Sequence, residues 1–221
     1  MPTPVKSAIG LPASAALLLL TTSLVRAELT FEDVSDGAGF SPAMSADIPA
    51  GGLAVADFDG NGWPDIFVTG YFQPNRLYFN NGDGTFSEDG GINEQLAGIQ
   101  CSVTAAADYD NDGWPDLYVG CRGDDNHLFR NVDGTGFIDA TAPALRHNPG
   151  TTLGPRTDAV AWGDIDGNGL LDIFIGVYPQ SSTPDPKDPD SRDRIVLNHG
   201  NGVWQDITAA LPADALTRTA L

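Results

Sequence analysis

Positive charge is what this 221-residue chain most lacks: eleven Lys and Arg stand against thirty Asp and Glu, for a formal charge of −19 at pH 7. Such a chain repels nucleic acid and anionic membrane surfaces, so neither is an expected partner. Histidine is scarce too. His127, His147 and His199 lie in different segments with no fixed relation to a nucleophile, which leaves no recognisable His-based catalytic set. No Asn-x-Ser/Thr sequon occurs, so N-glycosylation is not expected. No stretch after residue 27 sustains a 3.6-residue apolar period, which argues against a helical solenoid. The remaining 41% hydrophobic content, with regularly spaced aromatics, argues for a packed core rather than an acidic disordered chain.

Long apolar runs are absent except at the start. Lys6 gives a positive leader, Ile9 to Leu20 is apolar, and Val25-Arg26-Ala27 offers small or neutral residues where a signal peptidase reads. Residues 1–27 are therefore expected to be a cleaved secretory signal, with an uncleaved anchor as the alternative. Cleavage removes two positive charges and no negative ones, so −19 becomes −21. The mature chain, 28–221, carries no membrane span and is expected to be secreted, periplasmic or extracellular. Cysteine is limited to Cys101 and Cys121, which flank an acidic loop. On neighbouring antiparallel strands they would lie within reach of a diagonal bridge, and two small buried thiols are the other reading.

What the chain has in excess is aspartate, in three places. Asp57-Phe-Asp-Gly-Asn-Gly-Trp-Pro-Asp65 returns as Asp108-Tyr-Asp-Asn-Asp-Gly-Trp-Pro-Asp116 and as Asp164-Ile-Asp-Gly-Asn-Gly-Leu-Leu-Asp172. Ten of the thirty acidic residues sit in these loops, a distribution suited to metal sites rather than a solvated tail. A second marker follows each loop: an Asn (Asn80, Asn131, Asn198) that precedes an aromatic (Phe86, Phe137, Trp204) by six positions. The ninth loop residue and the marker Asn are 15 apart in the first two units and 26 in the third, where Pro179 to Ser191 supplies an 11-residue insertion.

Each unit reads as four short strands. Small apolar residues lead into the loop, a β-branched and aromatic run leaves it, a third strand enters an Asn-Gly or Asp-Gly turn, and the aromatic opens a fourth. Units of about fifty residues with four strands predict an all-β fold, a β-propeller of four-stranded antiparallel blades. About three blades are expected, at about 50–90, 101–141 and 156–209. Residues 29–34 match the fourth-strand pattern and are expected to be the outer strand that closes the ring. Counting on from Asn198 puts a fourth loop just beyond Leu221, and three blades fall short of the usual ring of about four to eight. The chain is therefore expected to be the N-terminal piece of a longer propeller, or a truncated product.

Oxygen side chains at alternating loop positions suit Ca²⁺, which takes six to eight oxygens at flexible geometry. The expected ligands in the first loop are Asp57, Asp59, Asn61, the Trp63 carbonyl and Asp65. The second loop offers Asp108, Asp110, Asp112, the Trp114 carbonyl and Asp116; the third offers Asp164, Asp166, Asn168, the Leu170 carbonyl and Asp172. One ion per loop is expected, bound most tightly by the second loop with its four carboxylates. An EF-hand would require Glu at position twelve, where Val68, Val119 and Ile175 stand. Mg²⁺ demands tighter octahedral geometry, and soft metals would want the Cys or His that the loops lack.

These loops and the Asn-x-x-Gly-Thr-Phe-like turns resemble the FG-GAP/VCBS repeats of integrin α-subunit propellers and of proteins similar to cartilage acidic protein. The resemblance covers about residues 29–221. It implies Ca²⁺ held between the first two strands of each blade by the residues named, and a non-catalytic role in adhesion or binding of a protein or carbohydrate ligand. Because related calcium propellers carry polysaccharide-lyase sites, a carbohydrate-active enzyme is the alternative from another class. A scaffold for a C-terminal module is the third. Arg122-Gly123-Asp124 spells the tripeptide that integrins recognise, with coincidence in an Asp/Gly-rich repeat as the plainer account. Tyr71, Phe72 and Tyr178 are aromatic residues in loops, where they would stack on sugars or pack between blades.

Overall fold

Short apolar runs cut by glycine-rich turns leave each segment one option, to pair with its neighbour through a tight reversal. The computed structural model describes residues 30–40, 51–70, 73–122, 124–146, 157–178 and 193–210. The first unit forms β1 (Leu53–Ala56), β2 (Asp65–Val68), β3 (Arg76–Asn80) and β4 (Phe86–Glu88), followed by a short helix α1 (Gly91–Gln95). The second forms β5 (Cys101–Ala107), β6 (Asp116–Cys121), β7 (His127–Asn131) and β8 (Phe137–Asp139). The third forms β9 (Thr157–Gly163), β10 (Asp172–Val177), β11 (Arg194–Asn198) and β12 (Trp204–Asp206), then a 3-10 turn at Thr208–Ala210. Each set is one four-stranded antiparallel sheet in chain order, a propeller blade. The chain divides into two units at Asp33 and Val34, and all three blades lie in the second.

Registers place equivalent residues alike. Ala56 faces Asp65, Ala107 faces Asp116 and Gly163 faces Asp172, so every acidic loop is the hairpin connection between the first two strands. The leading strands stand side by side, β5 against both β1 and β9. Gly52 shows how close: a Cβ there would sit 2.6 Å from the Val103 Cα.

The apolar core is divided between the joints. Strand β6 is buried along its whole length, and alternation sends its residues two ways. Leu117, Val119 and Cys121 join Phe58, Phe67 and Leu77 between blades 1 and 2, whereas Tyr118 joins Leu128, Ile173 and Ile175 between blades 2 and 3. Burying a Leu, Val or Phe side chain contributes about 1.5–3 kcal/mol each, so the joints carry most of the apolar stabilisation.

Two expectations need correction. Residues 30–34 form no strand, and Phe31 is 94% exposed. The chain instead turns over 34–40, where the Ala38 amide donates to the Val34 carbonyl (2.9 Å) and the Phe40 amide to that of Ser35 (3.0 Å). The Phe40 ring then lies 4.9 Å from Tyr78 and 5.8 Å from Phe86. The strand-like Phe-Glu-Asp pattern was matched in sequence alone; the apolar anchor of this segment is Phe40. Secondly, Cys101 and Cys121 are directly opposite in the register rather than diagonal, and they form a disulfide. His127 opens β7, with its ring stacked 5.6 Å from Phe129. The segment 1–27 expected to be a secretory signal, the insertion from Pro179 to Ser191, His147, Tyr71 and Phe72 lie outside the described residues.

Candidate metal centre

In all three loops the same backbone path is set by residues that tolerate positive φ. Positions four and six hold Gly60 (φ 73°) and Gly62 (89°), Asn111 (60°) and Gly113 (94°), then Gly167 (79°) and Gly169 (85°). This path turns loop amides inward onto the loop's own acids. The first-position carboxylate accepts from position six: Gly62 to Asp57 Oδ2 (2.8 Å), Gly113 to Asp108 Oδ2 (2.9 Å), Gly169 to Asp164 Oδ2 (3.0 Å). The third-position carboxylate accepts from position five: Asn61 to Asp59, Asp112 to Asp110, Asn168 to Asp166. The fifth-position oxygen accepts the amide of position seven: Trp63 to Asn61, Trp114 to Asp112, Leu170 to Asn168.

The ninth residue works differently. Asp65, Asp116 and Asp172 are fully buried. One carboxylate oxygen of each takes the amide of loop position two, from Phe58 (2.7 Å), Tyr109 (3.1 Å) or Ile165 (2.7 Å). The other takes the marker amide, from Asn80 (2.8 Å), Asn131 (2.8 Å) or Asn198 (2.7 Å). The ninth Asp thus locks the acidic loop to the following hairpin.

The result is three acid triads: Asp57, Asp59 and Asp65; Asp108, Asp110 and Asp116; Asp164, Asp166 and Asp172. In each, one oxygen from every member lies within 4.8 Å of the others. Asp112 stands outside its triad. Such crowding is unfavourable without a cation. Burial, reinforced by Asp59, raises the Asp65 carboxyl. Burial and then Asp112 raise that of Asp110. Asp116 is pushed up to about 7, chiefly by burial and against the two amide bonds that favour its ionised form. Asp57 Oδ1 is buried and accepts no hydrogen bond. Arg130 approaches Asp110 only to 3.9 Å. A buried carboxylate oxygen without a donor, in an all-oxygen loop, fits a hard divalent cation.

Sequence reasoning named the loop residues but missed what the marker Asn does. Asn131 Nδ2 donates to the carbonyl of Phe58 in the preceding blade's loop (2.8 Å) and to that of Pro115 (3.1 Å). Asn198 Nδ2 does the same to Tyr109 (2.9 Å) and Leu171 (3.2 Å). Both side chains are buried, and their Oδ1 atoms accept from Gly134 and Gly200. The joint is completed by rings: Phe58 meets Phe137 edge-on at 5.7 Å, and Tyr109 lies 5.6 Å from Trp204. Trp114 lies against Gly60 of the preceding loop and Gly134 of its own turn; a Cβ on either would come within 2.5–2.7 Å of the indole.

The FG-GAP-like repeat model matches this pattern over residues 57–119 and again over 108–175. The chain belongs to the FG-GAP-like repeat family. The matched span runs from the first acid of the first loop into β10, so the family's signature is the loop-and-blade unit just described. Among solved structures, an Agrocybe aegerita lectin, described as specifically recognising non-reducing terminal N-acetylglucosamine, is similar with a TM-score of 0.41 and 19% identity. The likeness covers 72% of this chain and 38% of that one, so the FG-GAP chain spans well under half the lectin's length.

Two further sites bear on the sequence reading. Arg122 is committed to Asp158 of blade 3 (2.6 Å), with both side chains largely buried, so the Arg of the Arg-Gly-Asp tripeptide serves a blade joint. A cavity of about 450 Å³ lies beside α1, walled by Gln73, Asn75, Arg76, Asn93, Leu96 and Gln100 among others. It is distinct from the acidic loops. No described helix is long and apolar enough to cross a membrane.

Proposed function

We propose that this FG-GAP repeat protein is a secreted, non-catalytic binding or adhesion module whose blades are each braced by one Ca²⁺. The observation that carries the reading is the threefold recurrence of an acid triad with its loop amides in one arrangement. The side chains of Asp57, Asp59, Asn61 and Asp65, and their counterparts, would hold the ion, with the carbonyls of Trp63, Trp114 and Leu170 completing the set. Its charge offsets the repulsion among buried carboxylates, so binding is linked to folding. The disulfide accords with an oxidising compartment. The α1 cavity, lined by Gln73 and Gln100 beside apolar Leu96 and Ile99, is the concave site where a carbohydrate or peptide segment would be held.

Terbium titration tests the metal. Trp63 and Trp114 lie in the first two loops, so Tb³⁺ emission excited through tryptophan should appear and be displaced by Ca²⁺. Asp108→Ala should remove the share from the second loop. At a hundredfold excess over its Kd, one Ca²⁺ adds about 2.7 kcal/mol. An unchanged melting temperature with chelator in place of Ca²⁺ would sink the assignment. Release of unsaturated sugars from polysaccharides would instead favour a lyase. Recovery of exported protein beginning at Glu28 would support secretion.

A further inference from the structure

We propose that Asn201 is a site of covalent self-modification in the folded protein: the Gly202 amide nitrogen attacks the Asn201 side chain, which ends as aspartate or isoaspartate. The chain holds four Asn-Gly pairs, beginning at Asn61, Asn81, Asn168 and Asn201. Asparagine is thermally labile, and most so before glycine, whose nitrogen no neighbouring Cβ shields. All four asparagines are exposed, so access to water does not separate them. Hydrogen bonding does.

In three of the pairs both reacting groups are held. The Gly62 amide donates to Asp57 Oδ2 (2.8 Å). Asn61 Nδ2 donates to Asp59 Oδ2 (3.0 Å) and to the Asn80 carbonyl (2.9 Å), while Asn61 Oδ1 accepts from Trp63 (2.8 Å). The third loop repeats this: the Gly169 amide donates to Asp164 Oδ2 (3.0 Å), and Asn168 is tied to Asp166, the Asn198 carbonyl and the Leu170 amide. In the turn between β3 and β4 the Gly82 amide donates to Asn80 Oδ1 (3.0 Å). Asn81 there is tied to Thr85 (2.9 Å) and Ser87 (3.0 Å). A donated amide proton is harder to remove, and a side chain anchored at both its polar atoms cannot swing Cγ onto the next nitrogen.

Asn201 has neither restraint. It lies in the turn between β11 and β12, which is closed by the His199 amide on the Val203 carbonyl (2.9 Å) and the Val203 amide on the Gly200 carbonyl (3.0 Å). Neither the Asn201 side chain nor the Gly202 amide makes a hydrogen bond among the described residues. Asn201 also holds a left-handed φ of 54°, which costs a residue with a Cβ. Bringing the Gly202 nitrogen onto Asn201 Cγ therefore breaks no hydrogen bond of either group.

The reaction consumes only water. The Gly202 nitrogen loses its proton and bonds to Asn201 Cγ; the Cγ–Nδ2 bond breaks, and ammonia leaves with that proton, giving a cyclic imide. Water then opens the ring. Opening at the side-chain carbonyl gives aspartate. Opening at the main-chain carbonyl gives isoaspartate, which adds a carbon to the turn that sets Asn198 opposite Trp204.

Peptide mapping by mass spectrometry of the folded chain, aged in Ca²⁺ at mildly alkaline pH, tests this. Asn201 should convert at least about tenfold faster than Asn61, Asn81 or Asn168, the factor that a few hydrogen bonds of ordinary net strength impose. In denaturing urea the four should convert at similar rates, because the difference lies in the fold. Asn201→Gln, which would need a larger ring, should abolish most ammonia release from the folded chain. Another pair that keeps pace with Asn201 in the folded chain overturns the proposal. So does an equal lead for Asn201 in urea, or ammonia release untouched by Asn201→Gln.

Discussion

Truncating Asn131 to alanine isolates what holds one blade to the next. The side chain makes three hydrogen bonds: to the Phe58 carbonyl (2.8 Å), to the Pro115 carbonyl (3.1 Å), and from the Gly134 amide (3.0 Å). The contact with Phe58 is buried; the other two are partly buried, so water can relieve them in part. A buried group left without a partner costs about 1–3 kcal/mol. One full penalty and two partial ones give about 3–5 kcal/mol, a large share of the roughly 5–15 kcal/mol that holds a domain folded. The control is Asn81→Ala. Asn81 also makes two side-chain hydrogen bonds, to Thr85 (2.9 Å) and from Ser87 (3.0 Å), but it is exposed and both partners rehydrate. Its loss should cost under about 1 kcal/mol. Urea unfolding in excess Ca²⁺, followed by tryptophan fluorescence, measures both. Asn131→Ala should also lower the m-value as blade 1 unfolds apart from blades 2 and 3. If the two variants lie within 1 kcal/mol of each other ~ the smallest gap this assignment allows ~ the joint is not held as described.

The pH response of the metal-free chain follows from Asp116. Its folded pKa, about 7, lies above the ordinary 3.8, so its stability contribution is complete below the ordinary value and lost as pH rises through 7. Asp139 and Asp206 are lowered in the folded chain, and their contribution is lost only as pH falls below the ordinary value, outside that window. Chelated protein should therefore melt higher at pH 5.5 than at pH 8 ~ the window set by these groups ~ and excess Ca²⁺ should abolish or reverse the difference in calorimetry. Gly60→Ala combines a φ of 73° with a Cβ 2.7 Å from Trp114 and should cost about 2–3 kcal/mol in urea unfolding. Gly84→Ala, strained at φ 89° but in open space, should cost about 1 kcal/mol. Opening the Cys101–Cys121 bridge frees a separation of 20 residues and should lower stability by about 3 kcal/mol, read as a drop in melting temperature with reductant.

The blades were legible because their signals are local. Positive-φ glycines fix the loops, Asn-Gly and Asp-Gly turns fix the outer hairpins, and strands three to seven residues long need no distant partner to be recognised. The acid triads were legible for the same reason, since nine consecutive residues supply each. The joints were not. Asn131 was visible as a landmark, but its partner is a main-chain carbonyl 73 residues earlier, and a carbonyl leaves no mark on the sequence. The short helix α1 escaped notice because five residues carry no readable period. Residues 30–34 match the fourth-strand pattern but find no pairing partner among the described residues, and a pattern alone makes no ladder.

That acceptor has an evolutionary consequence. Because the marker Asn grips a peptide oxygen rather than a side chain, any blade with the same loop path presents an equivalent handle, whether its second residue is Phe58, Tyr109 or Ile165. A gene that duplicates one whole unit and inserts the copy needs no compensating change next door. Drift can then remodel each loop's exterior, and trade Trp-Pro for Leu170-Leu171, while the seam stays interchangeable.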